Sequence, residues 1–167
     1  MDLSARGKST KLSRKEVIEA VGFFYSLLVP SKRSRKLIRI VVYFKPMPWK
    51  MHGQTYTMRG HQQGRNPKSF CIQLNNRLSR HKQLQALAHE LVHVKQFAQN
   101  ELGVSDTRKG QTFTKWKRST VNETKRDYYE LPWEIEAFGR EVGLYKRYTK
   151  FLKTSHEKLT ADSKNNS

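Results

Sequence analysis

A chain of 167 residues with 33 Lys and Arg against 14 Asp and Glu carries a formal net charge of +19. That length has room for one hydrophobic core, and no run approaches the ~20 apolar residues that a membrane-spanning helix needs. The lone cysteine, Cys71, excludes an internal disulfide and a Cys-rich zinc ribbon, and it fits a reducing, cytoplasmic setting.

Residues 1–12 are rich in Ser and Lys and read as a flexible basic segment. Ser13-Arg14-Lys15-Glu16 is a capping box, and Val17, Ile18, Val21, Phe24, Tyr25 and Leu28 follow at helical spacing before Pro30. A basic stretch ahead of an apolar one resembles an export signal, but Glu19 interrupts the run and no small-x-small site follows, so the reading is a helix. Lys32, Arg33, Arg35 and Lys36 form the densest basic cluster, a candidate phosphate-contacting surface or a solvated loop. Residues 37–44 are β-branched and aromatic, as in a central strand, ended by Pro46 and Pro48. A weaker strand is expected over 54–59, with His52 and His61 in Gly-rich loops.

Ser69–Asn75 alternates Phe70, Ile72 and Leu74 against Cys71, Gln73 and Asn75, which predicts a half-buried strand. Cys71 reads as a small buried hydrophobe within it. Residues 80–102 lack Gly and Pro, and Leu84, Leu87, Ala88, Leu91, Val94, Ala98 and Leu102 form one apolar stripe, with Gly103 as the stop. His81 begins this helix or shares a face with His89. Residues 104–131 are polar and basic around Phe113 and Trp116, which suggests a hairpin or covering loop. Pro132 opens a further helix with Glu134 and Glu136 in its first turn. The fold class is α+β, with a single domain over 13–157 and a polar flexible tail over 158–167.

His89-Glu90-Leu91-Val92-His93 is the stretch that specifies chemistry. Residues four apart share a helix face, so both imidazoles can meet one metal ion, and Glu90 on the flank can take a proton from metal-bound water. One Zn²⁺ with two imidazoles, a third protein ligand and an open position fits the pattern. A pair of hydrogen-bonded core histidines is the plainer alternative. Gln99 occupies the position where an extended motif would carry a third histidine. Carboxylates therefore remain, and Glu134 and Glu136 are both open. Tyr128 and Tyr129, just upstream, are either core aromatics or phenols placed to stabilise an oxyanion.

His89–His93 together with Pro132-Trp133-Glu134-Ile135-Glu136-Ala137 resembles the small single-domain gluzincin metallopeptidases, the minigluzincins of phage and bacterial genomes, over roughly residues 37–148. It is more distantly similar to ImmA/IrrE-type and SprT-like peptidases. The resemblance implies a zincin-like fold, a twisted sheet packed on the N-terminal helix, the H-E-x-x-H helix and a glutamate-ligand helix. It also implies a zinc metalloendopeptidase with Glu90 as general base, a host-cell cytoplasmic setting if phage-encoded, and Ser69–Asn75 bordering the substrate cleft. In the ImmA/IrrE type the third ligand opens an E-x-x-A motif, which corresponds to Glu134 here and leaves Glu136 as the alternative.

The charge excess supplies a second function class. A basic nucleic-acid-binding protein with a structural or vestigial zinc site would explain it, as would a DNA-associated SprT-like protease. The SprT-like pattern has a histidine third ligand and a zinc ribbon, both absent here. Expected partners are a protein or peptide substrate and nonspecific nucleic acid, with no membrane and a monomeric chain. Glu90 favours the enzyme, because a structural site needs no base beside its ligands.

Overall fold

The computed structural model describes residues 1–58, 67–106 and 112–165. In chain order they form β1 (Asp2–Gly7), α1 (Arg14–Leu28), the one-turn α2 (Lys32–Lys36), β2 (Arg39–Lys45), β3 (Gly53–Thr57), β4 (Ser69–Asn75), α3 (Arg80–Ala98), β5 (Leu102–Asp106), β6 (Thr112–Trp116), β7 (Ser119–Val121) and α4 (Pro132–Asn165). Short 3-10 turns at Glu123–Lys125 and Tyr128–Glu130 precede α4. The architecture is α+β, with a mixed sheet in the order β1-β2-β4-β3 and a separate antiparallel sheet in the order β5-β6-β7. In the first sheet β1, β2 and β4 run parallel and β3 is antiparallel to β4.

Alternation in the strands decides where the core lies. Ile40, Val42 and Phe44 of β2 and Phe70, Ile72 and Leu74 of β4 share one buried face. Against it pack α1 and α3, with Val17, Val21, Phe24, Leu84, Leu87 and Leu91 in the same cluster. Burying each large apolar side chain stabilises the fold by about 1.5–3 kcal/mol. The capping box is present as both bonds: Ser13 Oγ accepts from the Glu16 amide at 3.2 Å, and Glu16 Oε2 accepts from the Ser13 amide at 2.8 Å. Tyr148 of α4, fully buried, closes the other side of the core against Phe23 and Phe24.

Several elements depart from the sequence reading. Residues 1–12 are not a flexible segment: Asp2–Gly7 pairs with β2 from Asp2↔Arg39 to Gly7↔Phe44, and Ala5 and Leu12 are buried. Main-chain bonds to a neighbour hold such an edge strand, so its polar composition hides it. The expected tail over 158–167 continues α4 as far as Asn165. Helix α3 stops at Ala98, and Leu102 belongs to β5. Asn100, at φ 60°, ends it: the Glu101 amide returns to Gln96 O at 2.8 Å and the Asn100 amide to Phe97 O at 3.0 Å. That is a Schellman closure, with Asn in the left-handed position usually given to Gly.

Helix α3 is also buried on nearly every side from Gln83 to Gln96, rather than along one stripe. Its polar residues must therefore be paired or engaged in a site. Strand β4 is interior, with only Gln73 partly exposed, so β3 and not β4 forms the sheet edge beside the cleft described below. The weaker strand expected over 54–59 is β3; Arg59 and His61 lie outside the described residues. Residues 104–131 hold β6, β7 and the rest of β5, and Trp116 packs against a small second cluster of Leu102, Val121, Leu131 and Trp133.

Candidate metal centre

The mid-section of α3 and the first turn of α4 meet at the floor of one cleft. His89 and His93 are 8% exposed and Glu134 is 5% exposed. Their ligand atoms all lie within 4.8 Å of one another. His89 Nε2 is 3.2 Å from His93 Nε2 and 3.2 Å from Glu134 Oε2, and His93 Nε2 is 3.5 Å from Glu134 Oε1. Pro132 starts α4, and Leu131 O accepts from the Glu134 and Ile135 amides, which orients the glutamate toward α3.

The outer ring atoms fix the tautomers. His89 Nδ1 lies 2.8 Å from Glu141 Oε2, whose other oxygen accepts from Gln85 Nε2 at 2.7 Å. A carboxylate only accepts, so Nδ1 carries the proton. His93 Nδ1 faces Gln96 Oε1 at 2.8 Å, while Gln96 Nε2 donates to Trp133 O at 3.0 Å and Glu136 Oε2 at 3.2 Å. The amide is thereby oriented, and His93 Nδ1 is also a donor. Both Nε2 atoms are then left to face each other and a carboxylate, an arrangement that repels itself unless a cation sits among them.

In the metal-free chain a proton meets that need. Burial pulls the His89 pKa down, but the Glu134 and Glu141 carboxylates outweigh it and hold the value at about 9. Burial likewise raises Glu134, yet both histidines bring it down to about 2. Glu134 Oε2 nevertheless has no aligned hydrogen bond, so its contact with His89 is proximity without direction. A buried orphan oxygen beside two imidazole nitrogens fits one divalent metal ion, and the N/O donor set suits zinc among several first-row metals.

Glu90 is 5% exposed, and its Oε2 has no hydrogen-bond partner. Burial raises its pKa against the opposing pull of His93 and His89. Strand β3 lies directly over it. Thr55 Oγ1 donates to Glu90 O at 3.1 Å, and a Cβ added at Gly53 would stand 2.8 Å from Glu90 Oε1. Glycine is favoured here by close approach rather than by backbone angle. The cleft, about 820 Å³, is lined by His89, Glu90, His93 and Glu134, by Gly53, Gln54 and Thr55 on one side, and by Phe97, Trp133 and Phe138 among its apolar walls.

The other sequence candidates are dispersed. Glu136 turns away to Lys95 Nζ at 3.0 Å and Arg140 Nε at 2.9 Å, so it is engaged outside the histidine cluster. Lys95, 8% exposed, is also held by Glu101 at 2.6 Å. Tyr128 and Tyr129 both line the cleft. Burial and contact with Glu134 raise the Tyr128 pKa, whereas Tyr129 packs on Phe138 at 5.4 Å. His52 lines the cleft, and His81 stacks on Tyr145 at 4.4 Å, away from the metal centre. Cys71 is buried on the sheet face opposite the core. Lys32, Arg33 and Lys36 are exposed on α2, while Arg35 Nη1 donates to Val29 O and Pro30 O and closes the end of α1.

Glu141, Gln96 and Gly53 are site residues that the sequence reading missed. Glu141 had a signal: it lies seven residues after Glu134, with Phe138 between them, on one face of α4. Gln96 follows His93 by three. No family model, curated protein or solved structure matches the chain. Among the described residues no helix is long and apolar enough to cross a membrane.

Proposed function

We propose that the chain is a zinc-dependent metalloendopeptidase of the gluzincin type, with α3, α4 and the mixed sheet as a zincin-like core. One observation carries the reading: three buried ligand atoms converge on a cleft floor beside Glu90, whose buried Oε2 has no hydrogen-bond partner. A Zn²⁺ ion held by His89, His93 and Glu134 would supply an activated water and polarise a peptide carbonyl.

The remaining chemistry belongs to side chains of this chain. Glu90, with its pKa raised by burial, suits a group that accepts a proton from water and returns it to the leaving amine. Glu141 and Gln96 hold the two imidazoles in the tautomers that present Nε2 inward. Tyr128 is the phenol beside Glu134 that could donate to a developing oxyanion, with Tyr129 farther out at the rim. Phe97, Trp133 and Phe138 give the cleft apolar walls, which suit the side chains of a protein or peptide substrate.

A basic binding protein with a structural metal site would have no use for a buried carboxylate with an orphan oxygen at this place, since an unsatisfied buried polar atom destabilises the fold. Metal analysis and a proteome-derived peptide library test the proposal together. The expected result is one zinc per chain in wild type and in Glu90→Gln, with cleavage by wild type alone. Equal behaviour of both proteins toward the library would refute the enzyme reading.

A further inference from the structure

The outer face of the four-stranded sheet carries a surface that the cleft chemistry does not use. Strand register decides its members: Arg6↔Tyr43 and Tyr43↔Gln73 set one row, continued by Gln54, and Val41↔Cys71 and Cys71↔Tyr56 set the next. Arg39 and Lys45 flank these rows on β2. Helices α1 and α3 lie on the opposite, buried face, and Tyr43 and Tyr56 stand 42% and 38% exposed. Gln73 lies between them and donates to Tyr56 Oη at 2.6 Å, so Tyr56 is held in place. The two tyrosines are two strands apart and offset by two residues, a separation of roughly 12 Å.

The charge of this face is predominantly positive. Among the described residues, Arg6, Arg39 and Lys45 are opposed only by Asp2, which pairs with Arg39 at 3.1 Å. Beyond the end of β2 a third aromatic, Trp49, is 82% exposed with Lys50 Nζ 5.1 Å from its ring centre. Its turn is anchored from this same face. Asn75 Nδ2 donates to Met51 O at 3.0 Å and lies 3.4 Å from Met47 O, and the Met51 amide returns to Pro48 O at 2.9 Å. Exposed aromatics interleaved with cations, and almost no acid, match what unpaired bases and their phosphates need.

We propose that this sheet face binds single-stranded nucleic acid, with bases stacked on Tyr43 and Tyr56 and phosphates on Arg6 and Lys45. The occupant follows from charge complementarity: a net +2 on the described face, three cations against Asp2, within a chain of net +19. Flat stacking platforms favour splayed bases over a closed duplex, whose bases are already stacked. The surface is independent of the metal centre. Gly53 and Thr55 turn toward the cleft, and Tyr56, which alternates with them along β3, turns toward the other side and is not part of the cleft lining.

Fluorescence anisotropy of the full chain with a labelled oligothymidylate of about twelve nucleotides, across several salt concentrations, tests the proposal. The single strand should bind more tightly than a duplex of equal length. Tyr43→Ala should weaken binding by about tenfold or more, and Tyr56→Ala by a similar factor, while Tyr43→Phe restores it. Arg6→Gln with Lys45→Gln should reduce the slope of log affinity against log salt by about 1.4. Circular dichroism melts check that the variants fold, and Tyr43→Ala decides the matter alone if Tyr56→Ala does not. Wild-type affinity in folded Tyr43→Ala, equal affinity for duplex, or displacement of the oligonucleotide by an equal charge of polyglutamate would overturn it. The last result would assign the face to an acidic protein.

Discussion

Gly53→Ala separates the proposed base from the metal ligands. The added Cβ would stand 2.8 Å from Glu90 Oε1, 2.9 Å from its Cγ and 3.1 Å from its Cδ. Ordinary contact begins near 3.4 Å, so the Glu90 side chain must retreat by about 0.6 Å or the strand must lift. Overpacking of this kind costs roughly 1–3 kcal/mol of stability. Its effect on turnover should be larger in proportion, because a displacement of about 1 Å in a positioned group can lower a rate by about 100-fold. The three atoms nearest the added Cβ all belong to Glu90 rather than to His89, His93 or Glu134, so zinc content should stay at one per chain. The assay is kcat/KM on a cleavable peptide alongside metal analysis and a thermal melt. A folded, zinc-loaded Gly53→Ala protein with undiminished kcat/KM would refute the placement of Glu90 as the base.

Glu141→Gln should lower zinc affinity by about 10- to 100-fold while the melting curve barely moves, because the change weakens the partner that orients His89; a competition titration with a chelating dye reads it. Lys95→Met should destabilise the fold by about 3–5 kcal/mol in urea unfolding, since Glu101 and Glu136 lose their common partner, and adding Glu101→Gln should recover part of the loss. Gly22→Ala and Gly143→Ala, in helices with open space around the new methyl, should each add about 0.5–1 kcal/mol by the same measurement. Glu16 gives a pH signature. Burial raises its carboxyl, but the bonds from Ser13 and Arg80 prevail and lower it. Its contribution is then present above the unfolded value of about 4.3 and is lost as pH falls through the depressed folded value. Wild type should exceed Glu16→Gln in stability at pH 7, and the two should converge in acid.

Much of the site was legible because its chemistry sits in contiguous or helically spaced residues. His89, Glu90 and His93 lie within one and a half turns, and Pro132 with Glu134 announces the start of α4. Ser69–Asn75 was readable from its alternation, although β2 and β3 on either side bury what alternation assigned to solvent. What stayed hidden depends on pairing. Strand β1 has only Leu3 and Ala5 facing inward and is held by its parallel register with β2, which no local pattern encodes. The end of α3 turned on Asn100 adopting a left-handed conformation, where Gly103 offered the more obvious stop. Gly53 owes its place to Glu90, thirty-seven residues later, and that proximity exists only once β3 pairs with β4.

Zinc stoichiometry measured together with peptide hydrolysis in Glu90→Gln tests the central claim most directly. Both proteins should carry one zinc ion, which His89→Ala or Glu134→Ala should remove. Hydrolysis should be present in wild type and absent in Glu90→Gln, because Gln keeps the shape of Glu90 but cannot take up the proton. A zinc-loaded Glu90→Gln protein that cleaves like wild type, or a wild type that binds no zinc, would contradict the account.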